Sequence, residues 1–469
     1  MTVSETDIEA CKAALRAADV PLEDAPGPVQ RKSRDFYWYS PILKRQLEEV
    51  KGDFIVSPRT EAEVRTVLAT CHAHGVPVTV RGGGTGNYGQ SMPLRGGCVL
   101  STADLNAFEI HESRLVAEPG AILAELETAC RAEGQELRLF PSTTATATIG
   151  GFIAGGSSGV GAIRWGGLRN PANILKLRLL TMEAEPRVIE LEGAEVHKAA
   201  HAYGVNGVIT RLEVPIDPAS DWIGVLVGLP DLSEALRFAL AAGGQGDILC
   251  RMISVFEPGI AERYFLRHRA FLTAGEGLVG LYVSQQTLPE LEAFVAAEGG
   301  AIRYRDGQSE QRVPPLYELG WNHTTLRAMK VDPDTTYLQM MFGDDPVAET
   351  QRLKARFGDE LRLHFELTRI MGKVRAVAMP LVKYTDEARL EELVSLLEAE
   401  GFTVFNPHRV TLEEGGMKAP DLDQLAFKRE TDPRGLLNPG KMIAWEDPDW
   451  KPVAGRTYLF GETAKEGAE

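Results

Sequence analysis

The sequence predicts an α+β protein with more than one domain. Its 469 residues are more than a single hydrophobic core usually organises. From residue 46 to 218, short strand-like runs alternate with short helical patterns. The sequence pattern changes from 219 to 400, where strand-like runs alternate with amphipathic helices. This pattern favours an antiparallel sheet covered by helices on one face.

Hydrophobic periodicity and turn residues define the individual elements. In the first half they predict a helix at 8–18, strands at 76–80 and 98–101, a strand and turn at 115–120, a helix at 122–133, a hairpin of 174–182 with 187–191, and a strand at 208–214 that Pro215 stops. In the second half they predict strands at 223–228, 248–256, 278–283, 337–342, 361–367 and 374–379, and helices at 232–241, 288–297 and 386–399.

Composition excludes several classes of protein. Hydrophobic residues make up 44% and charged residues 25% of the chain, which are globular values. The net charge of −16 disfavours nucleic acid or an anionic membrane as a general partner. Five scattered cysteines without a C-x-x-C pair indicate reduced thiols in a cytoplasmic protein. We recognise no signal peptide and no apolar run long enough to span a bilayer.

Two glycine-rich segments carry the strongest functional signal. The first is RGGGTGNYGQ at 81–90, and the second is TIGGFIAGGSSGVG at 148–161. Glycine loses the most conformational freedom on folding, so such clusters indicate that backbone amides approach something closely. Consecutive amides without side chains form a concavity that binds anions such as a diphosphate. Two of them predict a large cofactor that is held from two sides.

The first segment also contains the spacing Gly84-x-Gly86-x-x-Gly89, which matches the Rossmann dinucleotide fingerprint. That fingerprint requires a helix to open at the loop. Pro93 and the pair Gly96-Gly97 break any helix there, so a conventional Rossmann unit is disfavoured.

Taken together, the two segments resemble the flavin-binding domain of the vanillyl-alcohol oxidase superfamily, also called the PCMH-type FAD-binding fold. The stretches 53–64, 202–210 and 432–441 (DPRGLLNPGK) agree with it. The resemblance covers 46–218 well and the last fifty or so residues loosely. It implies FAD as the cofactor and a two-subdomain FAD-binding domain joined to an antiparallel-sheet cap domain.

We expect five regions on this basis. These are a lead-in at 1–45 that packs on the FAD domain, the PCMH-type FAD-binding domain at 46–218, a substrate or cap domain at 219–400, a segment at 401–445 that returns to the FAD domain, and a peripheral tail at 446–469.

The resemblance also assigns cofactor-binding residues by position. They are Arg81, Gly82, Gly83, Gly84, Thr85, Gly86, Asn87 and Gln90 in the first segment; Pro119, Gly120, Ser142, Thr143, Thr146, Gly150, Gly151, Gly155, Gly156, Ser157, Gly159 and Gly161 around the second; and Gly207, Val208, Ile209, Asn438 and Lys441 further along. Arg81 is either a charge near the phosphates or a residue locked by its neighbours. Lys441 is either a positive charge near the flavin or a surface lysine after a turn.

The mode of attachment follows from two departures from the family pattern. Many members link the flavin to a histidine at the position of Thr85, or to a cysteine shortly before the second segment. The stretch 141–146 contains no cysteine. We therefore expect FAD to be bound without a covalent link.

Substrate oxidation also needs side chains that accept a proton and orient the substrate. His408 is the first candidate for the proton acceptor and His323 the second. Arg369 and Tyr384 are candidates for orienting a carboxylate or hydroxyl. A structural hydrogen bond is the alternative for each of them.

No metal site is expected, because the nine histidines show no zinc-like spacing. His364 and Glu366 share one face of a predicted strand, where a salt bridge accounts for them.

The leading interpretation is an FAD-dependent oxidoreductase that oxidises a small alcohol, hydroxy acid or amine and passes electrons to oxygen or another acceptor. The D-2-hydroxyacid dehydrogenases of this superfamily carry the runs G-H-x-G-D-G-N and G-E-H-G. Both are absent here, which disfavours D-lactate or glycolate as the substrate. The alternatives are a redox-neutral flavoenzyme resembling alkylglycerone-phosphate synthase and a non-catalytic nucleotide-binding protein.

Overall fold

The computed structural model describes residues 3–156, 158–309, 313–415 and 421–451. The chain divides into two compact units. Unit 1 comprises 1–157, 168–217 and 407–469, and unit 2 comprises 158–167 and 218–406. The second glycine-rich segment is therefore shared, with its beginning in unit 1 and its end in unit 2.

Helices and strands are interspersed throughout the described residues. The helices are α1 Glu5–Ala17, α2 Pro26–Lys32, α3 Pro41–Leu47, α4 Glu61–His74, α5 Leu123–Ala132, α6 Ile149–Gly155, α7 Ala162–Trp165, α8 Leu232–Gly244, α9 Ile260–Tyr264, α10 Leu288–Ala297, α11 Asn322–Val331, α12 Pro346–Phe357, α13 Glu387–Ala399, α14 Leu422–Thr431 and α15 Ile443–Glu446. The strands are β1 Leu22–Glu23, β2 Phe54–Val56, β3 Val78–Arg81, β4 Cys98–Ser101, β5 Phe108–His111, β6 Arg114–Ala117, β7 Gln135–Leu137, β8 Lys176–Leu180, β9 Val188–Glu192, β10 Val208–Pro218, β11 Trp222–Leu229, β12 Cys250–Phe256, β13 Gly277–Ser284, β14 Ala301–Arg305, β15 Thr335–Tyr337, β16 Gln339–Met341, β17 Leu361–Arg362, β18 His364–Ile370, β19 Lys373–Ala378, β20 Leu381–Lys383 and β21 Thr403–Phe405.

The first sheet of unit 1 has the strand order β1-β2-β4-β3, with β2, β4 and β3 parallel. Helix α4 crosses between β2 and β3. Its N-cap is Thr60, whose Oγ1 accepts the backbone N–H of Glu63 at 3.2 Å, and its C-cap is Gly75, with a φ of 66°. The C-terminal segment returns to this sheet, because Leu437 pairs with Val78 in β3. The first glycine-rich segment therefore leaves a strand that is paired on both sides.

The second sheet of unit 1 is antiparallel, with the order β5-β6-β10-β8-β9, and β7 also pairs with β10. The predicted hairpin is confirmed as β8 and β9. The prediction that Pro215 stops β10 is wrong, since the strand runs on to Pro218.

The reason lies in the direction of the backbone groups around Pro215. Ile216 donates its N–H to Ser113 on the β6 side, so the nitrogen of Pro215 points to the β8 side. The pairing with β8 ends at Glu213 opposite Lys176. The missing N–H of proline therefore costs no ladder hydrogen bond at this position.

Unit 2 is built on an eight-stranded antiparallel sheet with the order β14-β11-β13-β12-β18-β19-β16-β21. Helix α8 packs on one face, where Ile253 of β12 lies near Gly243. Successive residues of a strand point to opposite faces. Phe256 accordingly joins a buried cluster that includes Ile260 of α9 and Ala328 of α11. The α+β class and the antiparallel sheet predicted for this region are confirmed, and α9 and α11 add helical packing that the sequence did not indicate.

Two predicted strands of unit 2 are each divided in the structure. The run 337–342 is split between β15 and β16, and the run 361–367 between β17 and β18. In each case the first part pairs with β20 in a small three-stranded sheet and the second part belongs to the large sheet. Both parts are buried, so the hydrophobic run is continuous and does not mark the change of sheet.

Among the described residues, no helix is both long enough and apolar enough to cross a membrane.

Candidate functional site

The first glycine-rich segment is held by the chain that precedes it. Arg81, at the end of β3, donates Nε to the carbonyl oxygen of Lys32 at 2.7 Å and Nη2 to that of Arg34 at 3.0 Å. Phe36 donates its N–H to the carbonyl oxygen of Gly86 at 2.7 Å. Of the two interpretations of Arg81, its contacts therefore match the residue locked by its neighbours.

The two glycine-rich segments touch each other within unit 1. A Cβ atom added to Gly82 would lie 2.2 Å from Oγ1 of Thr148, and one added to Gly83 would lie 2.1 Å from the carbonyl oxygen of Thr146. Both distances are far shorter than a van der Waals contact allows. Glycine at these positions is therefore what permits the two backbones to meet.

A cavity of about 520 Å³ lies where the segments meet. Its lining includes the glycines Gly82, Gly83 and Gly120 and the N-cap residue Thr148. Its charged lining residues are the basic Arg31, Lys32 and Arg81 and the acidic Glu125. A cavity with a glycine backbone and an excess of positive charge suits an anionic ligand.

The backbone amides of the first segment have the same preference. Within the described residues, the N–H groups from Gly82 to Asn87 have no hydrogen-bond partner. These residues are only half-exposed, and buried amides in proteins are nearly always paired. A run of consecutive unpaired amides beside basic side chains therefore points to a bound phosphate group.

Comparison with known proteins agrees with this geometry. The family described as "FAD binding domain" matches residues 52–190, which include nearly all of the cavity wall formed by the glycine-rich segments. D-lactate dehydrogenase of Archaeoglobus fulgidus is 25% identical over 423 residues, which cover 83% of this chain and 91% of that protein. Glycolate oxidase subunit GlcD of Bacillus subtilis is 25% identical over 450 residues, which cover 86% and 91%. The chain belongs to the PCMH-type FAD-binding superfamily.

The solved structure of an alkyldihydroxyacetonephosphate synthase has the same fold, with a TM-score of 0.69 at 15% identity over 92% of this chain and 86% of that one. The FAD binding domain and the relatives named as dehydrogenase and oxidase identify the present chain as an FAD-linked oxidoreductase with FAD as its cofactor. The residues around the cavity fit the cofactor, because unpaired amides and basic side chains match the charge of its diphosphate.

The comparisons correct one inference from the sequence. The absence of two histidine-containing runs disfavoured the D-2-hydroxyacid dehydrogenases, yet proteins of that type match most of the chain. D-2-hydroxyglutarate dehydrogenase of Bos taurus also matches, with 28% identity over 220 residues, 43% of this chain and 40% of that protein. The missing runs concern a few side chains, and a chain can lose these while it keeps the overall sequence pattern of its relatives.

Other residues assigned to the cofactor in the first segment support the loop itself. The guanidinium of Arg81 occupies the space that a side chain at Gly84 would need. The side chain of Gln90 folds back, and its Oε1 accepts the N–H of Tyr88 at 3.0 Å and blocks any Cβ at Gly86. Thr85 and Asn87 are half-buried and remain predicted contacts of the cofactor.

The residues assigned around the second segment fall into three places. Pro119 accepts the N–H of Gly150 at 2.9 Å, so the turn with Gly120 sits against the start of α6. Gly151 lies next to Gly82. In the loop before α6, Ser142 and Thr143 are half-exposed and Thr146 is exposed. Gly155 and Gly156 end α6 in unit 1, Gly159 and Gly161 belong to unit 2, and Ser157 lies outside the described residues.

At the end of the domain, Gly207 precedes β10 with a φ of 118°, and a Cβ there would lie 2.7 Å from Leu179. Val208 and Ile209 are buried and pair with β8. Their side chains are core residues, so any contact with the cofactor involves the backbone.

Asn438 and Lys441 of the C-terminal signature hold the first segment by donating hydrogen bonds to its backbone carbonyl oxygens. Asn438 donates Nδ2 to the carbonyl oxygens of Gln90 at 2.8 Å and Tyr203 at 2.7 Å. Lys441 donates Nζ to the carbonyl oxygen of Gly89. Both side chains are fully buried, so Lys441 is not a surface lysine.

Asp35 supplies a buried carboxylate to the same segment. Its Oδ1 accepts the N–H of Tyr37 at 3.0 Å, and its Oδ2 accepts the N–H of Ser91 at 3.2 Å. Burial raises the pKa of Asp35 to about 6 and lowers the pKa of Lys441 to about 7, and each charge partly offsets the shift of the other. Sequence reasoning missed Asp35 because nothing in its neighbours marks it.

Two of the catalytic candidates make contacts of a structural kind. His408 is 2% exposed, and its Nδ1 lies 2.7 Å from Oγ of Ser40, the N-cap of α3. Arg369 donates to three backbone carbonyl oxygens, those of Ile163, Gly372 and Gly243. Because its guanidinium is already bonded to these three oxygens, a structural role for Arg369 within unit 2 is favoured over binding of a substrate carboxylate. Both residues stay predictions as catalytic groups.

The other two candidates lie elsewhere in unit 2. His323 is in the first turn of α11, where burial first and the charge of Arg327 second lower its pKa to about 4. It is therefore neutral at pH 7, and the same burial makes its protonation less favourable than that of an exposed histidine. Tyr384 is half-buried just after β20, and its N–H donates to the carbonyl oxygen of Asp334.

A polar cluster that the sequence indicated only in part lies in unit 2. Glu366 is 1% exposed, and it accepts hydrogen bonds from Ser254 Oγ at 2.8 Å and from the N–H of Trp321 at 2.7 Å. His364 Nε2 lies 2.8 Å from the same carboxylate, which confirms that the two residues share one face of the strand. Trp321 has a φ of 52°, a conformation strained for a non-glycine residue. The described residues contain no group of three or more His, Cys, Asp or Glu placed to hold a metal ion.

Replacing Asn438 by Ala should lower the free energy of unfolding by about 2–4 kcal/mol, because two buried carbonyl oxygens lose their donor. Urea unfolding of the full chain measures this loss. Asn170→Ala is the control, since Asn170 is exposed and its side-chain Oδ1 accepts a hydrogen bond from the backbone N–H of Ala172. Equal losses in the two variants would show that Asn438 does not hold the segment.

The lowered pKa of His323 predicts a stability difference that depends on pH. The folded pKa of about 4 lies below the ordinary value, so the stabilisation is present above about pH 6.5 and is lost as the pH falls through 4. Relative to His323→Gln, the wild type should therefore lose about 3 kcal/mol between pH 7 and pH 4. Denaturant unfolding at several pH values measures it, with His111→Gln as an exposed control. A constant difference between wild type and His323→Gln would contradict the burial of a neutral imidazole.

Proposed function

We propose that this protein is an FAD-dependent dehydrogenase or oxidase that oxidises the hydroxyl-bearing carbon of a small 2-hydroxycarboxylic acid by hydride transfer. The observation that carries the proposal is the meeting of two glycine-rich segments at a cavity with unpaired amides and three basic side chains. The substrate class is supported by relatives named for D-lactate and glycolate, which align with more than four-fifths of this chain.

We propose that FAD is held without a covalent link. Thr85 cannot form the histidine linkage, and no cysteine or histidine is among the residues that line the cavity. The five cysteines are all buried, and none of them is in a disulfide. These thiols also support the proposal of a cytoplasmic setting, where cysteines stay reduced.

When bound, FAD supplies the electron-accepting centre of the reaction. The chain itself must bind the substrate, exclude water and accept the hydroxyl proton. His323 is a candidate for the last role because it is neutral at pH 7, although its lowered pKa makes it a weaker base than an exposed histidine. His408 stays the alternative acceptor, and Tyr384 is proposed to orient the substrate. Arg369 stays an untested prediction for that role, since its three backbone hydrogen bonds favour a structural clamp. Oxygen or another acceptor is proposed to take the electrons.

The redox-neutral alternative rests on the structural likeness to an alkyldihydroxyacetonephosphate synthase, which at 15% identity shows the fold alone. A redox-neutral enzyme would cause no net reduction of the flavin by its substrate. Reduction of the flavin by a substrate therefore separates the two functions.

The purified full chain should be yellow, with the flavin absorbance band near 450 nm, and acid precipitation should release all of the colour into the supernatant. The release follows from the proposed non-covalent binding, since Thr85 stands at the position of the linking histidine and the residues that line the cavity include no cysteine or histidine. Absorbance of the pellet and supernatant after precipitation measures it. Colour that stays with the precipitated protein would contradict the non-covalent assignment.

Without oxygen, one enantiomer of lactate, 2-hydroxyglutarate or a related 2-hydroxy acid, or else glycolate, should bleach the 450 nm band. The hydride must leave from one face of the substrate, so for a chiral acid we expect the opposite enantiomer to react at least about a hundredfold more slowly, a difference of about 2.7 kcal/mol in activation free energy. Simple alcohols and amines of the same size are the controls. A flavin that none of the hydroxy acids bleaches would contradict the proposed substrate class.

A further inference from the structure

A short N-terminal stretch borders the same cavity as the glycine-rich segments. We call residues 26–36, which are α2 and the four residues after it, the N-terminal strap. Pro28, Arg31 and Lys32 of the strap line the cavity together with Gly82 and Gly83. The strap lies outside residues 52–190, which the FAD binding domain family matches, so the family pattern does not account for it.

Backbone hydrogen bonds attach the strap to the first glycine-rich segment. Arg81 donates to the carbonyl oxygens of Lys32 and Arg34, and Phe36 donates its N–H to Gly86. Ser33, fully buried between these contacts, accepts the N–H of Gly52 at 2.9 Å. The strap is thus bonded to both ends of the row of unpaired amides.

We infer that the N-terminal strap is part of the FAD site, and that Arg31 and Lys32 bind the diphosphate of FAD. The inference concerns the cofactor and is independent of which substrate is oxidised. Arg31 and Lys32 supply two of the three basic side chains in the cavity lining, whose other charged residues are Arg81 and Glu125.

The charges around the strap favour an anion in this place. Partial burial lowers the pKa of Lys32, and the positive charge of the nearby Arg81 lowers it further, while Asp104 opposes the shift. Two basic groups that repel each other are stabilised by an anion between them. A diphosphate is such an anion, and the amides from Gly82 to Asn87 provide its other contacts.

Binding must also stabilise the docked strap. If FAD contacts the strap, FAD binding and strap docking strengthen each other by the same free energy.

Affinity for FAD in the flavin-depleted full chain tests the inference. Flavin fluorescence quenching gives the dissociation constant for the wild type, Arg31→Gln, Lys32→Met and the control Lys44→Met. Lys44 is an exposed lysine on α3 that does not line the cavity, so its variant removes the same charge. We expect each strap variant to weaken FAD binding roughly tenfold, and the control to change it less than about twofold. Strap variants that bind FAD as the control does would overturn the inference.

Hydrogen exchange of the strap provides a second readout. Amides of residues 29–36 should exchange more slowly in the FAD-loaded chain than in the flavin-depleted chain. Riboflavin, which has no diphosphate, should leave their exchange unchanged. Equal protection by riboflavin and FAD would overturn the assignment to the diphosphate. A wild-type chain that binds no FAD would instead contradict the cofactor, whereas flavin that binds but is not reduced by hydroxy acids would contradict the proposed substrate and leave the strap inference standing.

Discussion

The close approach of two backbones is the constraint on which the site depends. Gly82 and Gly83 lie against Thr148 and Thr146, and no side chain fits between them. This contact leaves six consecutive amides without protein partners and opens a cavity beside them. A single Cβ would force the segments apart or displace the atoms that it meets, which are the hydroxyl of the helix cap Thr148 and the backbone carbonyl oxygen of Thr146. The glycines are therefore needed for packing as well as for approach to a ligand.

The segment keeps its shape because buried polar groups hold its carbonyl oxygens and its amides. Asn438 and Lys441 donate to its carbonyl oxygens, while Asp35 accepts an N–H from Ser91 at its end. Burying such groups is costly unless they are paired, and here each is paired. The N-terminal and C-terminal parts of the chain both contribute, so the matched family domain at 52–190 does not complete the site by itself.

In unit 2, burial changes the roles that residue types suggest. An arginine and a histidine attract attention as catalytic groups, yet Arg369 is committed to three backbone carbonyl oxygens and His323 is kept neutral by burial. The carboxylate of Glu366 is buried with three polar partners and holds Trp321 in a strained conformation. Strain of this kind is maintained only where the surroundings determine it strongly.

The sequence by itself determined the α+β class, most of the strands but only five of the fifteen described helices, the two glycine-rich segments and, through them, the cofactor. These are local patterns, because periodicity and glycine clusters reflect the conformation of neighbouring residues. It did not reveal that Pro215 lies inside a strand, that 337–342 and 361–367 each change sheet, or that Asp35, Arg31 and Lys32 border the glycine-rich segments. Only the tertiary structure decided these points, because they depend on contacts between residues far apart in the chain, which a local pattern does not contain. Such contacts set the direction of the hydrogen bonds at Pro215, the division of a buried run between two sheets and the residues that border the glycine-rich segments.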